Sequence, residues 1–170
     1  MSASLRVIFL IALLGIAGVA MAAPAVTVSF APPVARALAA VYGNEERAPL
    51  AEAVLQTMRR AAAHLPPGSS IQVTFDELAP TRLTRRQLDA DPSIDPVRSK
   101  LLGGAGLRAV VRDPDDRVLT QVAYRYFPRT LHQGSLQRDS WADARLAIEG
   151  LGSRLSAACA ALPRAAIPPG

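Results

Sequence analysis

The stretch from Leu107 to Phe127 constrains this chain more than any other. It runs Leu-Arg-Ala-Val-Val-Arg-Asp, then Pro-Asp-Asp, then Arg-Val-Leu-Thr-Gln-Val-Ala-Tyr-Arg-Tyr-Phe. Two runs rich in β-branched and aromatic residues flank Asp113-Pro114, which suit the first two positions of a type I turn, so the sequence predicts a β-hairpin. With Asp113 opposite Asp116, Val111 faces Val118, Ala109 faces Thr120 and Leu107 faces Val122. One face is then apolar, while Arg108, Arg112, Arg117, Gln121 and Arg125 share the other. A hairpin wetted on one side needs other elements to cover its dry side.

Those elements are legible elsewhere. Val26-Thr27-Val28-Ser29-Phe30 alternates as a strand with Val26, Val28 and Phe30 inward, and Pro32-Pro33 ends it. Val34 to Tyr42 fits either a short helical turn or a loop. Asn44-Glu45-Glu46 precede a helix with Pro49 in its first turn, where the missing N–H costs nothing and the acids favour the positive end of the helix dipole. Leu50, Ala53, Val54, Thr57, Met58, Ala61 and Leu65 form its apolar stripe, and Pro66-Pro67-Gly68 stop it. Ile71, Val73 and Phe75 point inward from a second alternating strand. Asp76 to Gly106 then loses periodicity, with a short helix predicted over Thr81–Leu88; a segment of this length is a candidate contact surface. After the hairpin, Pro128 to Gln137 is irregular. Asp139 or Ser140 is expected to cap a final helix with the seam Trp141, Ala144, Ile148, Leu151, Leu155, Ala158 and Leu162. Gly150 and Gly152 each cost such a helix about 1 kcal/mol relative to alanine, which signals a kink or a close approach to the sheet. The order strand, helix, strand, hairpin, helix predicts an α+β fold: a four-stranded, mainly antiparallel sheet with two helices packed on one face.

The N-terminus has a different character. Arg6 ends a short basic segment, Val7 to Val19 is an apolar run of 13 residues, and Ala20-Met21-Ala22 places small residues where a signal peptidase cuts. Residues 1–22 therefore read as a cleaved secretory signal, too short for the ~20 residues of a spanning helix. No other apolar run approaches that length, so no stable membrane span is expected after cleavage. Residues 23–162 form one domain and 163–170 a disordered tail. Cys159 is the single cysteine, which excludes an intramolecular disulfide. These features predict a periplasmic or secreted chain held together by packing.

The net charge is +5, and Lys100 is the only lysine among 19 Lys and Arg residues. A basic balance permits anionic partners. Arg82, Arg85 and Arg86 form the one local basic cluster, and with Arg108, Arg112 and Arg125 they make a candidate anion-binding footprint. No aromatic residue interleaves the cluster, which argues against nucleic acid. Asp89, Asp91, Ser93 and Asp95 alternate as in a calcium loop, but Ile94 stands where glycine is needed and Lys100 where a bidentate Glu should close the site. Gly104-Ala-Gly106 matches part of a dinucleotide fingerprint yet precedes a strand where the motif must open a helix. Cys159, one position off the final seam, fits a small buried residue; an intermolecular disulfide is the rival. His64 and His132 lack ligand spacing, and the adjacent Asp76 and Glu77 point to opposite faces of an extended chain. No catalytic set, metal site or cofactor site is expected.

Three stretches carry a resemblance: Ile71–Arg82 (IQVTFDELAPTR), the hairpin at 107–127, and Ser140–Leu155 (SWADARLAIEGLGSRL). The layout is similar to uncharacterised exported domains of the Gram-negative envelope. Some of these look like lipoproteins, from which this chain departs in having no lipobox cysteine. The resemblance implies location and fold and supplies no functional residues. The expected function is a non-catalytic exported protein that binds a partner protein or an envelope component. The alternatives are an anion-binding module for lipopolysaccharide or another phosphorylated polymer, and an enzyme of unknown type.

Overall fold

The period-two runs become one four-stranded sheet in the order β1-β2-β3-β4. The computed structural model describes residues 24–63, 65–95, 98–99, 101–130 and 139–162. The expected signal over 1–22, the tail over 163–170, His64, Lys100, His132 and most of the Pro128–Gln137 connection lie outside the described residues. The strands are β1 (Ala25–Phe30), β2 (Ser70–Ala79), β3 (Gly104–Arg112) and β4 (Val118–Tyr126). The helices are α1 (Pro32–Ala37), α2 (Arg47–Ala61), α3 (Arg85–Ala90) and α4 (Ala142–Ala160). The α+β expectation holds, but the sheet is mixed where a mainly antiparallel one was expected. β1 pairs with β2 in parallel, and β2–β3 and β3–β4 are antiparallel. The reason is the crossover: α2 returns the chain to the end of the sheet where β1 began, so β2 must run the same way.

The ambiguous stretch after β1 is helical. Pro32 and Pro33 stand in the first turn of α1, where fixed φ is an asset, and the helix runs on through a π turn over Leu38–Tyr42. Gly43 closes that turn at φ 110, its N–H donating to the Leu38 carbonyl.

Both long helices bury their stripes against one face of the sheet. Leu50, Val54 and Met58 of α2 join Ile71, Val73 and Phe75 of β2, Leu107, Ala109 and Val111 of β3, and Ile148, Leu151 and Leu155 of α4 in one core. Each large side chain so buried contributes about 1.5–3 kcal/mol. Phe30 and Phe75 stack across the parallel pair at 5.0 Å. Along α4 the buried seam passes through Cys159, with Ala158 at its margin.

The two glycines of α4 mark close approaches. A Cβ on Gly150 would overlap the Tyr124 ring of β4, and one on Gly152 would overlap Thr57 of α2. The helix thus meets the sheet through one glycine and its neighbouring helix through the other.

The hairpin pairs two residues further along than the sequence suggests. Val111 lies opposite Thr120, Ala109 opposite Val122 and Leu107 opposite Tyr124. The loop is longer by one residue: Asp116 takes φ 64, its N–H donates to the Asp113 carbonyl, and the Asp113 N–H donates to Arg117. This is a type I turn followed by a left-handed residue. A register irregularity at Val111/Arg112 then pairs Val118 with Arg112. Val118, expected in the core, is 53% exposed, and Leu119 packs against the core in its place.

Two substitutions test these close fits by urea unfolding. Gly150→Ala should lower stability by about 1–3 kcal/mol through overpacking against Tyr124, whereas helix propensity alone predicts a gain of about 1 kcal/mol. Asp116→Gly should raise stability by about 0.5–1 kcal/mol, because glycine adopts the left-handed conformation without a Cβ clash.

Candidate functional site

With both long helices on one side, no element among the described residues covers the other face of the sheet. Across its middle run Thr27, Gln72, Val110 and Gln121, then Ser29, Thr74, Arg108 and Ala123. The centre of the face is therefore mostly uncharged, with Arg108 its one ion, and Ser29 and Thr74 hydroxyls lie 2.9 Å apart across the parallel pair.

The charges gather at one end, and a β-bulge gathers them. Phe75 pairs with Leu107, but the next pairing is Glu77 with Gly106, leaving Asp76 as the extra residue. Asp76 and Glu77 therefore both reach the open face, where simple alternation puts them on opposite faces. Each meets an arginine of the hairpin. Arg108 Nη2 donates to Asp76 Oδ1 at 2.9 Å. Arg125 grips Glu77 with Nε and Nη2, both at 2.9 Å, in a bidentate pair. The Arg125 hydrogen bonds hold the Glu77 carboxyl below its ordinary range against an opposing push from burial, and Glu77 in turn raises Arg125. Gly106 leaves room for this pairing, since its Cβ would stand 3.3 Å from Glu77.

An open hollow of about 430 Å³ lies over this end of the sheet, lined by Asp76, Glu77, Gly106, Ala123, Arg125 and Arg154. Arg154 reaches in from α4. Its Nη1 donates to the Ala123 carbonyl at 3.3 Å, and its guanidinium lies over the Tyr124 ring at 4.7 Å.

The six arginines of the expected footprint divide between places. Arg108 and Arg125 share the charged end, each on a carboxylate. Arg112 sits at the hairpin turn, bonded to the Asp116 carbonyl at 2.8 Å and 3.6 Å from its carboxylate. Arg85 and Arg86 belong to α3, which leans on the Leu38–Tyr42 turn rather than on the open face. Arg85 is bonded to Asp89 at 2.8 Å, and Arg86 is exposed with no ion pair among the described residues. Arg82 lies just before α3, partly buried.

The irregular segment is shorter than its sequence suggests. Asp76–Ala79 extend β2, Gly104–Gly106 begin β3, and the helix between them starts four residues later than expected, at Arg85. Its signal was present: Thr84 and Gln87 form a capping box. The ends of the segment are tied to the start of α4. Thr81 N–H donates to the Ser140 carbonyl at 2.7 Å, and Leu101 N–H donates to the Thr81 carbonyl at 2.9 Å. Thr81 Oγ1 accepts from the Asp143 N–H at 3.0 Å, and the fully buried Asp143 carboxylate accepts from Gly103. Thr81 thereby caps α4 from far away in sequence, while Asp139 accepts from the Trp141 N–H and the Arg145 guanidinium. Tyr126 lies near this junction; burial raises its hydroxyl first, and the Asp143 charge adds to it.

The remaining candidates have local roles. Asp91 accepts from both the N–H and the hydroxyl of Ser93, which lower its carboxyl, so the acidic stretch closes on itself as a turn. Gly104 and Gly106 lie within β3. Cys159 is 4% exposed, and burial raises its thiol. Among the described residues, no three His, Cys, Asp or Glu side chains are grouped to hold a metal, and no helix is long and apolar enough to cross a membrane. Comparison with family models, curated proteins and solved structures gives no match.

The charged end makes a pH prediction. Because the folded Glu77 pKa lies below its unfolded value, the pair stabilises the fold above the ordinary carboxylate range and is lost as pH falls through the folded pKa. A carbon-13 carboxyl titration should find Glu77 depressed, and Arg125→Ala should return it towards 4.5, the unperturbed value. An unchanged Glu77 titration in the variant would show the bidentate pair does not form in solution.

Proposed function

We propose that this chain is an exported, non-catalytic binding protein of the cell envelope, and that it meets its partner through the open face of the sheet. The observation carrying this reading is the one-sided architecture. Four strands present a continuous face whose centre is mostly uncharged and whose Arg108, Arg112 and Arg125 are already paired. Such a face can be desolvated by a protein partner without stranding an unpaired ion, the costly step in forming an interface. The signal-like N-terminus and the likeness to Gram-negative envelope domains support the location. The anion-binding alternative draws less support from this surface. A phosphate approaching Arg108, Arg112 or Arg125 must compete with carboxylates already within ion-pair distance.

In-cell photocrosslinking tests the reading. A photoreactive residue at Gln121 or Thr74, on the open face, should give a discrete adduct, and one at Glu52, off the apolar stripe of α2, should give none. Equal labelling from both sides would overturn the assignment of the face. Turnover of any substrate that disappears on a single point change would overturn the non-catalytic reading.

A further inference from the structure

The open face ends at β4, which pairs with β3 on one side and, among the described residues, with no strand on the other. Arg154 reports which backbone groups lie along that free edge. Its bond to the Ala123 carbonyl shows that this carbonyl turns away from β3. The N–H and C=O of one strand residue project to the same side, and alternate residues repeat the pattern. Gln121, Ala123 and Arg125 therefore direct their N–H and C=O groups outward, a row of donors and acceptors in the arrangement that recruits another strand.

The chemistry beside this row is specific. The Arg154 guanidinium carries five N–H donors, and its described contacts are one 3.3 Å bond to a neutral carbonyl and the face of Tyr124. Among the described residues it has no ion pair, whereas Arg125, on the other side of the same strand, is held by Glu77. The helix side of the edge thus has a cation without an anion, and the open side has a charge already balanced. Beside the edge, the hollow over Gly106 and Ala123 leaves room for side chains of an added strand.

We propose that the outer edge of β4 is a strand-addition site for an extended acidic segment of the partner protein. The segment continues the sheet through the edge groups of Gln121, Ala123 and Arg125. Its neutral side chains lie along the open face, and a carboxylate on the helix side takes the Arg154 guanidinium from the Ala123 carbonyl, freeing that acceptor for the ladder. This inference rests on the binding-protein reading and adds where the partner is held and its chemistry.

The test is a titration of the nitrogen-15-labelled protein with a short peptide of alternating Glu and Thr, followed by amide and guanidinium shifts. The Gln121, Ala123 and Arg125 amides and the Arg154 side chain should move. Methylating alternate peptide nitrogens on the edge-facing register should weaken binding at least about tenfold, as should Lys in place of Glu. Ala123→Pro should weaken it similarly, because it removes an outward N–H at an edge position that tolerates proline; an unchanged circular dichroism spectrum checks that the variant folds. Arg154→Glu, a surface change, should reverse the preference towards the Lys peptide. Binding indifferent to N-methylation and to Arg154→Glu would overturn the proposal, and so would the absence of edge shifts at millimolar peptide. Shifts confined to Gln72, Thr74 and Val110 would overturn the edge site and leave the open-face reading standing.

Discussion

Two long amphipathic helices can dry only one face of a four-stranded sheet, and the rest of this structure depends on that limit. α2 and α4 are both spent on the face carrying Ile71, Val73, Phe75, Leu107, Ala109 and Val111. The opposite face must then remain compatible with water, and the chain achieves this with threonine, serine and glutamine at the centre and paired charges at the end. Among the described residues β4 is left as an uncovered edge. A single guanidinium from α4 reaches around to it.

Holding α4 in place requires more than its stripe. The first residues of the helix are buried, including the Asp143 carboxylate, and a buried charge is tolerated only when hydrogen-bonded. The Gly103 N–H supplies one such bond to Oδ2, while Thr81 joins the Asp143 N–H to the Ser140 carbonyl, so the long segment between β2 and β3 is anchored at both ends. Trp141 extends the junction, donating from Nε1 to Glu46 at 2.6 Å and meeting Tyr42 edge-on. A helix capped by a threonine more than sixty positions away ties the fold's last element to its middle.

Two small irregularities decide the site. The bulge at Asp76 turns two adjacent carboxylates to one face, and the hairpin's left-handed Asp116, with the irregularity at Val111/Arg112 beside it, moves the hairpin register by two positions. A shift of two preserves which side chains share a face, so the arginine face of the hairpin was legible from alternation despite the wrong partners. The bulge has no such protection, because one extra residue inverts the alternation after it. That is why Asp76 and Glu77 escape a reading based on period two, and why they mask the very arginines that looked free.

By itself the amino-acid sequence determined the four strands, the two long helices and most of their dry sides: the strands by alternation, the long helices by three- and four-residue steps, and the α+β class by their order. These are local properties, set by backbone period and side-chain polarity. It also signalled, through Gly150 and Gly152, a kink or a close approach to the sheet, and the approach is what Gly150 makes. Tertiary structure alone decided the parallel pairing of β1 with β2, the distant cap on α4, the carboxylate partners of Arg108 and Arg125, and the reach of Arg154 to the β4 edge. Each of these joins residues far apart in the chain, and their pairing depends on register and helix placement, which no local pattern encodes.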